Sequence, residues 1–118
     1  TQGDIKKLTK EEKNLAKDAK NYMDRMYSRD IRIQDVAGIL HVHPNYLSTL
    51  FRREYDQSPR EYLRKVRMNQ AKILLATTEY SISDISSDVG YTNPFQFSKV
   101  FKSCYGISPT EYRNMRQV

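Results

Sequence analysis

The chain contains a single cysteine, Cys104, so no internal disulfide can form, which fits a reducing, cytoplasmic setting. Glycine and proline number four each and fall mostly at the edges of predicted helices, so no flexible linker or low-complexity tract divides the chain. No apolar run reaches the roughly 18 residues that a bilayer span requires, and the opening TQGDIKKLTKEEK lacks the apolar stretch of an export signal. A membrane role is not expected. With two histidines, no glycine-rich phosphate loop and no paired catalytic signature, neither is an enzyme. His41 and His43 lie in a predicted turn and Cys104 on a predicted core face, so no metal or cofactor site is expected.

What the chain does have is positive charge. Lys and Arg outnumber Asp and Glu by 20 to 14, a net charge of +6, which favours a polyanionic partner such as nucleic acid or an acidic membrane surface. At 118 residues it is long enough for one compact domain with a modest core.

The pentapeptide SPREY at 58–62 returns as SPTEY at 108–112, and the echo is wider than five letters. Asp35 and Val36 meet Asp84 and Ile85 at an offset of 49. After a one-residue insertion the offset is 50. Pro44, Ser48, Phe51, Tyr55, Ser58, Pro59, Glu61 and Tyr62 then meet Pro94, Ser98, Phe101, Tyr105, Ser108, Pro109, Glu111 and Tyr112. Two copies are too few for a solenoid, so each copy reads as one supersecondary unit of a bilobal domain.

The repeated pentapeptide is a helix start. Its Ser accepts from an orphan N–H, its Pro occupies the first helical position at no hydrogen-bond cost, and its Glu reaches back to the cap. Ile107 and Tyr112 stand at the spacing of a hydrophobic staple, which Gln57 denies to the first copy. Thr9 with Glu12, Ser81 with Asp84 and Asn93 with Gln96 repeat the cap chemistry. In the first copy Arg32 stands where Ser81 does and His43 where Asn93 does, and neither is an ordinary cap. The resulting map is all-α: seven helices over residues 9–28, 33–40, 44–55, 59–76, 82–89, 94–105 and 109–116.

Each copy pairs a short helix with a second one across a tight turn, the layout of a helix-turn-helix unit. Residues 9–57 form the first such subdomain, 58–77 a linker helix and 78–118 the second. Gly90 can supply the left-handed residue of the second turn, and His41 takes its place in the first. At 3.6 residues per turn, Leu47, Leu50 and Phe51, and likewise Phe97, Val100, Phe101 and Cys104, gather on core faces. The opposite faces carry Asn45, Ser48, Thr49 and Arg52 in one helix, and Phe95, Ser98, Lys99 and Lys102 in the other. These suit base edges and phosphates, so the expected partner is double-stranded DNA. Phe95 either packs on Tyr91 or meets something apolar such as a thymine methyl.

Two further helices bear on this reading. The first has Leu15, Ala19, Tyr22 and Met26 as a narrow stripe, suited to packing within the domain or, in a protein-binding adaptor, to a partner. The linker helix PREYLRKVRMNQAKILLAT lacks internal Gly or Pro and spans about 27 Å, short of the ~34 Å between major-groove segments on one face of B-DNA. Both reading helices can therefore engage only if the DNA bends. Arg60, Arg64 and Arg67 on this helix are expected to be solvent-exposed, with phosphate contact open to some of them.

DVGYTNPFQFSKVFKSCYGISPTEYR resembles the second helix-turn-helix signature of the AraC/XylS family of bacterial transcription regulators. RMNQAKILLATTEYSISDIS resembles its linker helix, and IQDVAGILHVHPNYLSTLFRREYDQSPREYLRKVR its more variable first unit, so the resemblance covers about residues 10–116. It implies a site-specific regulator that most often activates, with RNA polymerase as a further partner and asymmetric sites read by the two second helices. By position, Asn45, Ser48 and Thr49 fall on base-contact positions of the first reader, and Phe95, Gln96, Ser98 and Lys99 in or beside those of the second. Ser48 and Thr49 are smaller than the side chains often found there. The effector-binding or dimerisation domain that members usually carry has no counterpart here, and the start at Thr1 rather than Met is what a C-terminal piece of a longer regulator, or removal of an initiator Met, would give.

Overall fold

Helix ends leave backbone N–H groups without partners, and at every helix start of this chain a nearby side chain accepts from at least one of them. In a computed structural model, which describes residues 7–116, Thr9 Oγ1 accepts from Glu12 N at 3.1 Å while Thr9 N donates to Glu12 Oε1 at 2.9 Å. The reciprocal pair recurs at Ser58 with Glu61 and at Ser108 with Glu111. Residues 1–6 and 117–118, including Thr1 and the TQGDIK lead-in, lie outside the described residues.

The helices are α1 (Lys10–Met26), α2 (Ile33–Ile39), α3 (Pro44–Tyr55), α4 (Pro59–Thr77), α5 (Ile82–Asp88), α6 (Pro94–Tyr105) and α7 (Pro109–Arg116). No strand occurs among the described residues. All seven predicted helices are present, each within two residues of its expected ends. The two unusual starts have different solutions. Arg32 supplies no side-chain acceptor, but its N–H donates to Asp35 Oδ2 at 2.9 Å. His43 does cap: its Nδ1 accepts from Asn45 N at 3.1 Å.

Two compact units divide the chain. Thr1–Arg25 with Arg32–Leu63 makes the first, and Met26–Ile31 with Arg64–Val118 the second, so the boundary falls inside α4. The first unit buries Ala16, Ala19 and Met23 of α1, Val36 and Ala37 of α2, Leu47, Leu50 and Phe51 of α3, and Leu63. The buried stripe of α1 is thus centred on Ala16, Ala19 and Met23, with Leu15, Tyr22 and Met26 half-buried beside it. Of the predicted stripe only Ala19 is fully buried, and the covered face is displaced by one residue toward Ala16 and Met23. Phe51 packs between Tyr55 and Tyr62, at centroid distances of 4.7 and 5.6 Å. The Tyr62 hydroxyl, its pKa raised first by burial, donates to Asp24 on α1, which also pairs with Lys20 at 3.2 Å.

The second unit closes on Met68, Ala71, Leu75, Ile85, Val89, Phe97 and Phe101, flanked by Tyr91, Tyr105 and Tyr112. Arg67, expected in solvent, is half-buried instead. Its Nε donates to Tyr27 O at 2.9 Å and its Nη2 to Arg29 O at 2.8 Å, and the guanidinium lies 5.5 Å from the Tyr91 ring centroid. Burial lowers its pKa from the ordinary value, and the two carbonyls replace the water it has lost. Residues 26–31 belong to the second unit through this anchor. Arg113 acts similarly at the end of α4, donating to Leu75 O and Thr78 O at 3.2 Å each, where carbonyls lack helical partners.

Both turns close through the same backbone bonds. Val42 N donates to Ala37 O and His41 N to Gly38 O; at the offset of 49, Tyr91 N donates to Ser86 O and Gly90 N to Ser87 O. His41 (φ 60°) and Gly90 (φ 98°) hold the left-handed position, as do Asp56 (φ 60°) and Gly106 (φ 81°) after α3 and α6. A Cβ on Gly90 would overlap the Tyr27 carbonyl oxygen and lie 2.9 Å from Arg67 Nε. Gly90→Ala is therefore expected to lose about 2–5 kcal/mol, from left-handed strain plus overpacking. Asp56→Gly is expected to gain about 0.5–1 kcal/mol by relieving strain alone. Urea unfolding midpoints at unchanged slope measure both, and a neutral Gly90→Ala would contradict the first.

Candidate nucleic-acid interface

Each reading helix begins with a cap and a proline. On α3, His43 receives Asn45 N and Pro44 takes the first helical position. On α6, Asn93 Oδ1 accepts from Phe95 N at 2.9 Å and from Gln96 N at 3.4 Å, with Pro94 in the equivalent place. The first residues after each cap are thus rigidly held at a helix N-terminus, where partial positive charge favours phosphate.

The sequence-predicted residues are at the surface in both units. Asn45, Thr49 and Arg52 are exposed on α3 with Ser48 half-buried, and Phe95, Gln96, Lys99 and Lys102 are exposed on α6 with Ser98 half-buried. Leu47, Leu50 and Phe51, and in the other unit Phe97 and Phe101, are buried on the opposite sides. From 43 to 62 and from 93 to 112 the burial classes match position by position, except that Leu50 is buried where Val100 is half-buried. Cys104 departs from expectation. It lies at the angular position of the core face, but Tyr105 beside it is the residue of this last turn that packs against the core, and the thiol is exposed, as is Glu54 in the first copy. Among the described residues no group of three or more His, Cys, Asp or Glu could hold a metal ion, and no helix is long and apolar enough to cross a membrane.

Hydrogen bonding refines what these side chains offer. Thr49 Oγ1 donates to Asn45 O at 3.0 Å, so its outward chemistry is a methyl group and an acceptor. Arg52 Nη2 lies 3.9 Å from Glu61 Oε1, the acid of the α4 capping box. In the other copy, Glu111 has its pKa lowered chiefly by the Ser108 backbone N–H, with Lys102 a smaller contributor. The basic residue ending each reading face therefore neighbours the capping glutamate of the next helix.

Two α3 residues were not anticipated. Arg53 joins Ser48, Thr49 and Arg52 in lining a shallow, open depression, and Tyr46 is exposed beside Asn45 with its hydroxyl donating to Glu12 at 3.4 Å. Arg53 was legible as a second cation next to Arg52. Tyr46 carried no such signal.

A family model described as a helix-turn-helix domain matches residues 36–115. The raffinose operon transcriptional regulatory protein of Pediococcus pentosaceus is 38% identical over 109 residues, covering 92% of this chain and 38% of that protein. The chain belongs to the AraC/XylS family of transcription regulators. The lactose operon transcription activator of Staphylococcus xylosus is 40% identical over 96 residues, covering 81% of this chain and 34% of that one. The chain thus spans little more than a third of the length of each of these two relatives. Among solved structures, the C-terminal domain of AraT, a response regulator from Geobacillus stearothermophilus, superposes with a TM-score of 0.85 at 36% identity, covering 88% and 87% of the two chains. The family's all-helical DNA-binding fold is the fold described above.

The contrast between outward and inward aromatics on α6 is directly measurable. Phe95→Ala is expected to leave thermal stability within about 0.5 kcal/mol, whereas Phe97→Ala, two residues on, should cost about 3–5 kcal/mol. Asn93→Ala should fall between, at about 1 kcal/mol for the lost cap. A large loss for Phe95→Ala would mean that this ring is part of the core.

Proposed function

We propose that this AraC/XylS-family chain binds specific double-stranded DNA through α3 and α6, each laying its N-terminal turns in a major groove. The observation that carries the reading is the matched pair of surfaces. In two copies with the same pattern of burial, a capped helix start leads into an outward face of amide, hydroxyl, ammonium and guanidinium groups, on a chain of net charge +6. Asn45, Ser48, Thr49, Phe95, Gln96, Ser98 and Lys99 take the base-reading roles. Arg52 and Lys102 grip phosphate, with Arg53 beside them.

α4 has 19 residues, which at 1.5 Å each is roughly 28 Å, less than the ~34 Å of one helical turn of B-DNA. One molecule using both readers on successive grooves therefore bends its site. Within a longer cytoplasmic protein, an effector-binding or dimerisation domain would set when the site is occupied, and contact with RNA polymerase would turn occupancy into activation. The name of the lactose operon activator supports the activating role by analogy alone.

Selection of bound duplexes from a random pool, followed by salt titration, tests the reading. Affinity should fall steeply with salt, by about 0.9 in log–log slope for each phosphate contacted, whereas a flat response would favour a protein-binding adaptor. Lys99→Ala should lose about 1–3 kcal/mol of discrimination at a few base pairs; uniform weakening across sequences would assign Lys99 to the backbone. Circularly permuted sites should migrate anomalously in gels. Uniform migration would mean straight DNA and engagement of one helix at a time.

A further inference from the structure

Phe95 is 85% exposed, the highest among the exposed large apolar side chains of the described residues. It is not loosely placed. Its N–H is held by Asn93 Oδ1 at 2.9 Å, Pro94 precedes it, and the helix it opens is anchored by the buried rings of Phe97 and Phe101. Tyr91, the aromatic that the sequence offered as its cover, turns its ring to Phe97 instead, at 5.7 Å between centroids. Gln96 and Lys99, both exposed, supply the polar surroundings.

A ring fixed in water recovers free energy only by meeting an apolar group. On the major-groove edge of a base pair the apolar group available is the C5-methyl of thymine. At the same position of the first copy stands Asn45, whose amide suits the N6 and N7 of adenine. No other large apolar side chain of α6 is exposed, so the apolar surface here amounts to one ring, too small for a protein-docking patch.

We propose that Phe95 is a specificity-determining residue that reads the 5-methyl group of a thymine, so that the two copies put different questions to the base pair beneath the same helical position. This rests on the DNA-reading function proposed above. The test takes a duplex selected from the random pool and replaces each thymine in turn by deoxyuridine, which removes one methyl and leaves every hydrogen-bonding group in place. At one or two thymines the unaltered protein should lose affinity about three- to fivefold, the scale of one buried methyl. Phe95→Ala should bind the thymine and deoxyuridine duplexes alike, and Phe95→Leu should keep part of the difference. Phe95→Asn, which installs the residue of the first copy, should shift preference at that base pair towards adenine. Indifference of the unaltered protein at every thymine overturns the assignment, as does equal methyl sensitivity in Phe95→Ala. Those results leave DNA reading itself intact. A pool that yields no preferred duplex removes the DNA-reading function and this inference together.

Discussion

Everything in this fold depends on ending helices cheaply. Seven helices among the described residues 7–116 leave little chain for connections, and every helix start exposes N–H groups that need acceptors. Helices α2 and α5 have seven residues each, too short to be stable alone, so their ends must be closed locally and their apolar sides covered by a neighbour. Asp35, accepting from Arg32 N at the start of α2, and Ser81, accepting from Asp84 N at the start of α5, supply the first requirement, as the capping boxes at Thr9, Ser58 and Ser108 and the caps at His43 and Asn93 do for the other helices. The cores that bury Val36 and Ala37 of α2 and Ile85 of α5 supply the second. The same closures place the reading faces, because a residue two positions after a fixed cap has little freedom in where it points.

The two copies reach one backbone with different chemistry. The second uses glycine at both left-handed positions, while the first uses His41 and Asp56, side chains that tolerate positive φ at some cost in strain. Gly90 has a second constraint that His41 lacks. Its missing side chain makes room for the Tyr27 carbonyl, which Arg67 holds in place. A buried guanidinium, a carbonyl and a glycine thus form one arrangement that draws residues 26–31 into the second unit. The glycine and the arginine could not be exchanged independently, since removing the arginine takes the donor from the Tyr27 carbonyl, while Arg29 O keeps Ile31 N, and adding a Cβ displaces that same Tyr27 carbonyl.

The helices were legible because the signals that set them are local. Ser-Pro-x-Glu, Asn-Pro and the Gly90 turn each act over about four residues, so sequence alone located their ends to within two positions. The outward faces of α3 and α6 were legible as surfaces for the same reason, with all nine candidate residues exposed or half-buried. What escaped was information held by distant parts of the chain. Cys104 has the periodicity of a core residue, but the ring of Tyr105 next to it takes the place against Phe101 and the core. The buried stripe of α1 lies one residue away from the predicted one, at Ala16 and Met23, because which flank of an apolar face is covered depends on the surface it meets. Arg67 looks like any arginine on a polar face until the carbonyls of Tyr27 and Arg29, some forty residues earlier, are brought beside it.

Duplication explains why such a small scaffold can present two unlike surfaces. Between 43–62 and 93–112 the pattern of burial is nearly unchanged, and the residues that coincide are those with structural work: prolines at helix starts, capping Ser and Glu, and core Phe and Tyr. The outward positions are where the copies part company, with Asn45 against Phe95, Tyr46 against Gln96, and Thr49 against Lys99. Substitution at an exposed, capped position costs little stability, usually within half a kcal/mol, so these sites could change without disturbing the helices that carry them. Ser48 and Ser98 are the exceptions that fit the rule. Half-buried at the margin of each face, they have remained the same small residue in both copies, because there the side chain must satisfy its own helix packing as well as the surface.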